Sequence, residues 1–375
     1  MDFDFTDDQH ALRDAVARWV DKGFGFERRH AIARAGGATR EVYRELAGLG
    51  LTGLVVPAEH GGMGFGAVEA MVVMEELGRG LVHAPYAEGA LLAPRLLADA
   101  PTDLQAHWLP RIASGEALVV PALAERAARY RSAYVGTTAR EADGVWALTG
   151  VKLPLAAGDE ADAYVVAARI AGDIDDETGL GLFLVERPHA QVRGFPTQDG
   201  ARAAELTLAL SPARLIARDA LPLIEAAQDA GIAAVCAEAV GLMDRLTAVT
   251  VEYMNTRKQF GVAIASFQAL RHRIADVKMA LELARSMSYY ASLKLGEPPA
   301  QRRRALSQAK VQLGQSMRFV GQQCIQLHGG IGCTDEYIAS HCFKRLTMLE
   351  LAWGDTLHHL GEVSERMQDT AGVFA

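Results

Sequence analysis

The sequence predicts an α+β fold in three parts: an N-terminal α-helical domain (1–115), a middle β domain (116–215) and a C-terminal helical-bundle domain (216–375). Two observations carry this reading. The hydrophobic period changes from three-and-four to a strand-like pattern near residue 116, then returns to three-and-four after Pro222. Half of the residues are hydrophobic and only 22% are charged, enough apolar material for two or three separate cores in 375 residues.

In chain order, Thr6 is placed to cap a first helix, with Asp7 and Asp8 in its first turn. DQHALRDAVARWV and AVEAMVVMEELGRG follow at helical spacing, separated by turn-rich PAEHGGMGFG. The segments VWALTGVKL, AYVVAARI, GLFLVE and AELTLAL are short, rich in strand formers and bounded by Gly, Asp and Pro. Beyond them four bundle helices are drawn at about 222–256, 266–294, 301–327 and 335–352. Phe267, Leu270, Ile274, Val277, Leu281 and Ala284 form the apolar stripe of the second.

Charge and composition exclude several classes. A net charge of -8 argues against a nucleic-acid binder, and the basic run Arg302 to Arg304 reads as a solvated helix start. Cys236, Cys324, Cys333 and Cys342 form no CxxC pair and stand beside no histidine cluster at zinc spacing, so no metal site is expected. The acidic start MDFDFTDDQH does not read as a secretory signal, and no run of about 18 apolar residues suggests a membrane span. A cytoplasmic protein is expected.

Three stretches, AGLGLTGLVVPAEHGGMG (47–64), RKQFGVAIASFQ (257–268) and QLHGGIGCTDEY (326–337), together resemble the acyl-CoA dehydrogenases in order and spacing. The resemblance implies that family's fold and a tetrameric, FAD-dependent oxidation of the α,β bond of an acyl-CoA thioester. FPTQDGARAAE (195–205) and FKRL (343–346) are most similar to the small subunit of bacterial pimeloyl-CoA-type dehydrogenases. By the resemblance, Arg257 and Phe260 contact the FAD of a neighbouring subunit, Gln326 and Gly330 its adenosine side, and Gln268 and Gly329 are further cofactor contacts. An arginine suits the pyrophosphate because its fork of donors makes directional, charge-assisted bonds. On the residues alone, RKQFG also reads as a helix end with a cation and a glycine stop, and HGGIG as a flexible turn.

The chain also departs from the family. Matching glycines sets Trp353 of LELAWGDTLHH where the family's glutamate base stands, and the alternative base position falls on Gly231. Neither residue accepts a proton. ALAERAARYRS (122–132) keeps Glu125 but has alanines where hydroxyls would meet the flavin, and Pro154-Leu155-Ala156 replaces a threonine-bearing strand. The losses fall on the flavin of the same chain, while the retained motifs serve a neighbour's.

Three functions follow as alternatives: a base-lacking subunit paired with a related catalytic acyl-CoA dehydrogenase chain, an autonomous homotetramer using Asp355 as base, and a redox-inactive scaffold. Asp355 reads first as the N-cap of TLHHLGEVSERM and only second as a base. Glu238 is expected to be buried and paired, and His358 and His359 to lie at a surface or interface. The resemblance points to a dicarboxylic, steroid side-chain or other bulky acyl-CoA and leaves the acceptor open between oxygen and an electron-transfer flavoprotein.

Overall fold

A computed structural model describes residues 5–371. Among them, six helices precede the sheet: α1 (Asp7–Gly23), α2 (Phe26–Arg34), α3 (Arg40–Gly48), α4 (Ala67–Arg79), α5 (Ala93–Leu97) and α6 (Thr102–Ala113). Seven strands form one sheet: β1 (Val119–Ala122), β2 (Thr138–Ala142), β3 (Val145–Ala156), β4 (Ala163–Arg169), β5 (Leu180–Glu186), β6 (Gln191–Pro196) and β7 (Arg202–Arg218). The long helix α7 (Leu221–Thr256) follows, then a two-stranded ribbon of β8 (Lys258–Gln259) and β9 (Val262–Ala263). Helices α8 (Gln268–Lys294), α9 (Pro299–His328), α10 (Ile338–Leu351) and α11 (Thr356–Ala371) complete the chain.

The protein is built as a helical N-terminal domain, a middle β-sheet domain and a C-terminal helical domain. Compactness divides it differently from element type. One unit gathers residues 1–31, 67–82 and 232–375, and the other gathers 32–66 and 83–231.

In the first unit, Thr6 and Gln9 form a reciprocal capping box at the start of α1. The core is a bundle seam, with Cys236, Val240 and Met243 of α7, Val277 and Leu281 of α8, and Leu313, Met317 and Val320 of α9. Helices α4 and α7 cross with their backbones almost touching. A Cβ added to Gly78 would stand 2.1 Å from the Glu238 carbonyl oxygen, and one on Gly241 1.8 Å from that of Glu75. Only glycine allows that approach. Glu238 is buried, and its carboxylate accepts two bonds from Arg345, at 2.6 and 2.9 Å.

The second unit holds the sheet. The path β4, β2, β3, β7, β5 returns to β4, so the sheet closes on itself, with β1 added parallel to β4 and β6 antiparallel to β7. Strand β4, AYVVAAR, is buried along its whole length, which explains why it reads as a continuous apolar run. Trp146, Tyr164, Val166, Phe183 and Leu206 are among the residues that fill the core. Helix α3 is capped from a distance, since its Thr39 makes no side-chain cap and the Glu160 carboxylate accepts the N–H groups of Thr39 and Arg40 instead.

Candidate functional site

The corner begins where α7 ends. Arg257 N–H donates to the Tyr253 carbonyl at 2.8 Å, and Ile264 N–H returns to the Arg257 carbonyl at 2.9 Å, so Arg257 closes both the helix and the ribbon. Between β8 and β9 stand two residues, Phe260 at φ +55° and Gly261 at φ +80°. Two positive φ angles in succession make the tight hairpin that Asn-Gly usually supplies. An aromatic residue there is strained, and Phe260 is also 91% exposed. Gln268 opens α8 a few residues on and is exposed.

The Gln-Leu-His-Gly-Gly segment meets this corner at one small apolar cluster. Met254 at the end of α7, Ile264 after the ribbon and Leu327 at the end of α9 are buried together, with Tyr253 and Phe267 packed against them. The His328 ring packs at a tilt against Tyr253 and Tyr337, 4.7 and 5.1 Å away by ring centroids. Its Nδ1 donates to the Cys324 carbonyl at 2.8 Å, and burial lowers its pKa. Gln326, Gly329 and Gly330, which flank Leu327 and His328, are exposed, and a Cβ on either glycine would meet nothing within 4 Å. The fold therefore brings Arg257, Phe260, Gln326, Gly329 and Gly330 to the same end of the bundle.

Asp355 lies elsewhere, in the turn between α10 and α11. Its Oδ1 accepts the His358 N–H at 2.8 Å, the geometry of an N-cap for α11. His359, expected at a surface or interface, is instead 3% exposed. Its position one turn into α11 faces it inward, where the cap and the preceding turn enclose it.

Glu125, retained from the flavin-facing loop, is fully engaged. Its carboxylate accepts from Gly136 N–H, Thr137 N–H, Thr137 Oγ1 and the buried Lys152 Nζ, at 2.7 to 2.9 Å. Burial raises its pKa, but the Lys152 ammonium and these donors outweigh burial and hold it below the usual carboxylate range. Ser132 of the same loop donates to Gln228 at 2.6 Å.

One group of metal-capable side chains gathers among the described residues: His30, Asp335 and His341. Arg29 faces His341 Nδ1, and a guanidinium only donates, so Nδ1 is the accepting nitrogen. Nε2 then carries the proton and donates to the Asp335 carbonyl at 2.8 Å. No imidazole lone pair of His341 is left for a cation.

The corner's donors fit a dinucleotide. Arg257 is exposed and its guanidinium makes no hydrogen bond or ion pair among the described residues, Gln326 offers an exposed carboxamide, and the Gly-Gly turn is open. An anionic diphosphate with a nucleoside beside it suits that set. The β-domain residues in the corresponding motifs offer little to a flavin ring: Leu155 is buried, and Glu125 and Ser132 are engaged.

Comparison with known proteins follows the same lines. The profile of the acyl-CoA dehydrogenase N-terminal domain matches residues 6–116, and that of the acyl-CoA dehydrogenase C-terminal domain matches 221–368. The acyl-CoA dehydrogenase IpdE2 of Mycobacterium tuberculosis is 31% identical over 342 residues, covering 90% of this chain and 91% of its own. A chain of the ChsE4–ChsE5 complex of the same organism superposes with a TM-score of 0.88 at 25% identity, covering 99% of this chain and 100% of that one. The FAD complex of PigA shares the fold, with a TM-score of 0.90 at 21% identity over 98% of this chain and 99% of that one.

Proposed function

The chain belongs to the acyl-CoA dehydrogenase family, and from that premise we propose that it is the base-lacking subunit of a hetero-oligomer, donating half of an FAD site to a related catalytic chain. The reaction of the family is the FAD-dependent α,β-dehydrogenation of an acyl-CoA thioester. When bound, FAD supplies the acceptor for the hydride that leaves the β carbon. The residues of this chain bind and orient. Arg257 donates to the pyrophosphate, Phe260 packs against the cofactor, Gln268 adds a polar contact, and Gln326 with Gly329 and Gly330 receives the adenosine side.

The observation that carries this reading is Phe260. A strained backbone and a fully presented aromatic ring are both costs to the isolated chain. Such a residue earns its place by contact with something outside the chain. Three further features support the subunit role. Trp353 stands at the base position, Asp355 is committed to a helix cap, and Glu125 is committed to Lys152 and the 136–137 turn. A place beside the small subunits of pimeloyl-CoA-type dehydrogenases fits this division, as does similarity to a chain of the ChsE4–ChsE5 complex. The substrate in this reading is a bulky acyl-CoA.

Flavin absorbance per polypeptide tests it. The isolated chain should be nearly colourless and should not oxidise acyl-CoAs in a dye-coupled assay. Co-purified with its base-carrying partner, it should hold about one FAD per two chains. One tightly held FAD per chain in the isolated protein, with turnover, would overturn the proposal.

A further inference from the structure

Helix α2 is held by an unusual anchor. Of its nine residues only Arg29 is buried, so the side chain that fixes this helix is a cation rather than an apolar residue. The Arg29 guanidinium donates to Nδ1 of His341 in the first turn of α10, and His341 is buried to the same degree, each being 3% exposed. His341 Nε2 donates to the Asp335 carbonyl at 2.8 Å, and His30 of α2 donates from Nε2 to Asp335 Oδ2 at 3.1 Å. Phe26 closes the cluster, stacked on His30 at 5.5 Å and edge-on to His341 at 5.1 Å by ring centroids. The chain leaves one compact unit for the other just beyond, at residue 32.

This seam admits one protonation state. A guanidinium has donors only, so His341 must keep the lone pair of Nδ1 free and carry its single proton on Nε2. A second proton has nowhere to go but Nδ1, where it would set N–H against N–H and one buried cation against another. Arg29 is the partner that can leave, because His341 sits within a bundle helix and α2 has no buried apolar residue to hold it. The charged imidazole also has an alternative at hand. Its Nε2 lies 3.4 Å from Asp335 Oδ1, so Asp335 can exchange His30 for His341.

We propose that His341 is an acid-sensitive latch: neutral, it accepts Arg29 and fastens α2 to α10, and protonated, it turns to Asp335 and lets α2 go. The latch uses none of the residues assigned to the cofactor.

The charges around His341 set the direction. Burial comes first and lowers its pKa, Arg29 on α2 and Lys344 on α10 lower it further, and the Asp335 carbonyl and carboxylate oppose them. His30 on α2 works against release, since an imidazolium there would tighten its pair with Asp335. Cys342 stays a neutral thiol, pushed up to about 12 by burial. With His341 below its ordinary 6.5, the latched chain holds fewer protons than the released one between the two values. The latch is therefore closed above 6.5 and opens as pH falls below it.

Hydrogen exchange of the full chain, read by mass spectrometry and corrected for intrinsic rates, follows the latch in peptides covering 26–34. Their protection should be full near pH 7.5 and about tenfold lower near pH 5, with peptides of α7 unchanged. His341→Asn places an amide oxygen where Nδ1 accepts and takes up no proton, so protection should persist into acid. Arg29→Gln removes the opposing charge, and its amide can turn to accept from a protonated imidazole, so the fall should vanish. In the same variant the His341 titration, followed by NMR of selectively labelled histidine, should move up toward 6.5. His30→Gln should weaken α2 at every pH and keep the fall. If the asparagine variant does not fold, Arg29→Gln and the NMR titration decide. A wild-type α2 that stays protected while His341 titrates overturns the latch, as does an undiminished fall in Arg29→Gln. A fall shared equally by α7 would be global acid unfolding and would overturn it as well.

Discussion

Arg257 has a guanidinium that the described chain leaves unbonded, so its replacement isolates the cofactor term. Arg257→Ala should leave folding intact and loosen FAD in the assembled complex by about 1.5 to 3 kcal/mol, the worth of a charge-assisted contact. Fluorimetric titration of the apo-complex with FAD measures it, and an unchanged affinity would reduce the corner to a helix stop. Asp355 should behave oppositely. Asparagine caps nearly as well as aspartate, so Asp355→Asn should keep most turnover of the complex, whereas a loss of ~10²-fold with normal FAD content would make it the base. Lys310 of α9, buried with its ammonium donating to the carbonyls of Leu349, Glu350 and Gly354, adds a pH signature. Its folded value, about 8, lies below its ordinary 10.5, so between the two the folded chain holds fewer protons than the unfolded. Stability from this group is full above about 10.5 and is lost as pH falls through 8. Chemical denaturation of Lys310→Met across pH 7 to 10.5 should show that rise flattened.

The elements were legible in proportion to their length. Helices α7 to α10 announce themselves by many repeats of the three-and-four step, and the predicted segments coincide with them to within a few residues. Strands β1, β2 and β6 have four to six residues each and too few alternations to stand out. The ribbon at 258–263 was hidden because phenylalanine occupies a position where asparagine would have signalled a hairpin. Of the site, the arginine corner and Gly-Gly turn could be found by motif. Outside the site, the burial of Lys310 could not be read, since nothing local to QAKVQ tells a buried lysine from a solvated one. Glycine roles were also invisible. Gly241→Ala drives a methyl group into the α4 backbone and should cost at least about 2 kcal/mol. Gly361→Ala on α11, with open space around it, should be neutral or stabilising by up to about 1 kcal/mol. Urea melts of the two variants compare them directly, and equal stabilities would mean that the α4–α7 crossing relaxes freely.

For the whole molecule, colour and stoichiometry are the decisive expectation, because a half-site that works only in company leaves the lone chain without tightly held flavin. The interleaving of the two compact units has a separate consequence, for biogenesis. The unit spanning 32–66 and 83–231 is complete once residue 231 has left the ribosome. Helices α1 and α4 belong to the other unit and wait for α7 to α9. At usual elongation speeds that wait lasts roughly five to twenty seconds. During it α4 carries Met71, Val72, Val73 and Leu77, all destined for burial, with no bundle to receive them. The nascent chain thus passes through a stage in which its middle is already folded around a sheet while α1 and α4 still wait as unfinished amphipathic segments, the natural moment for a trigger-type chaperone to hold it.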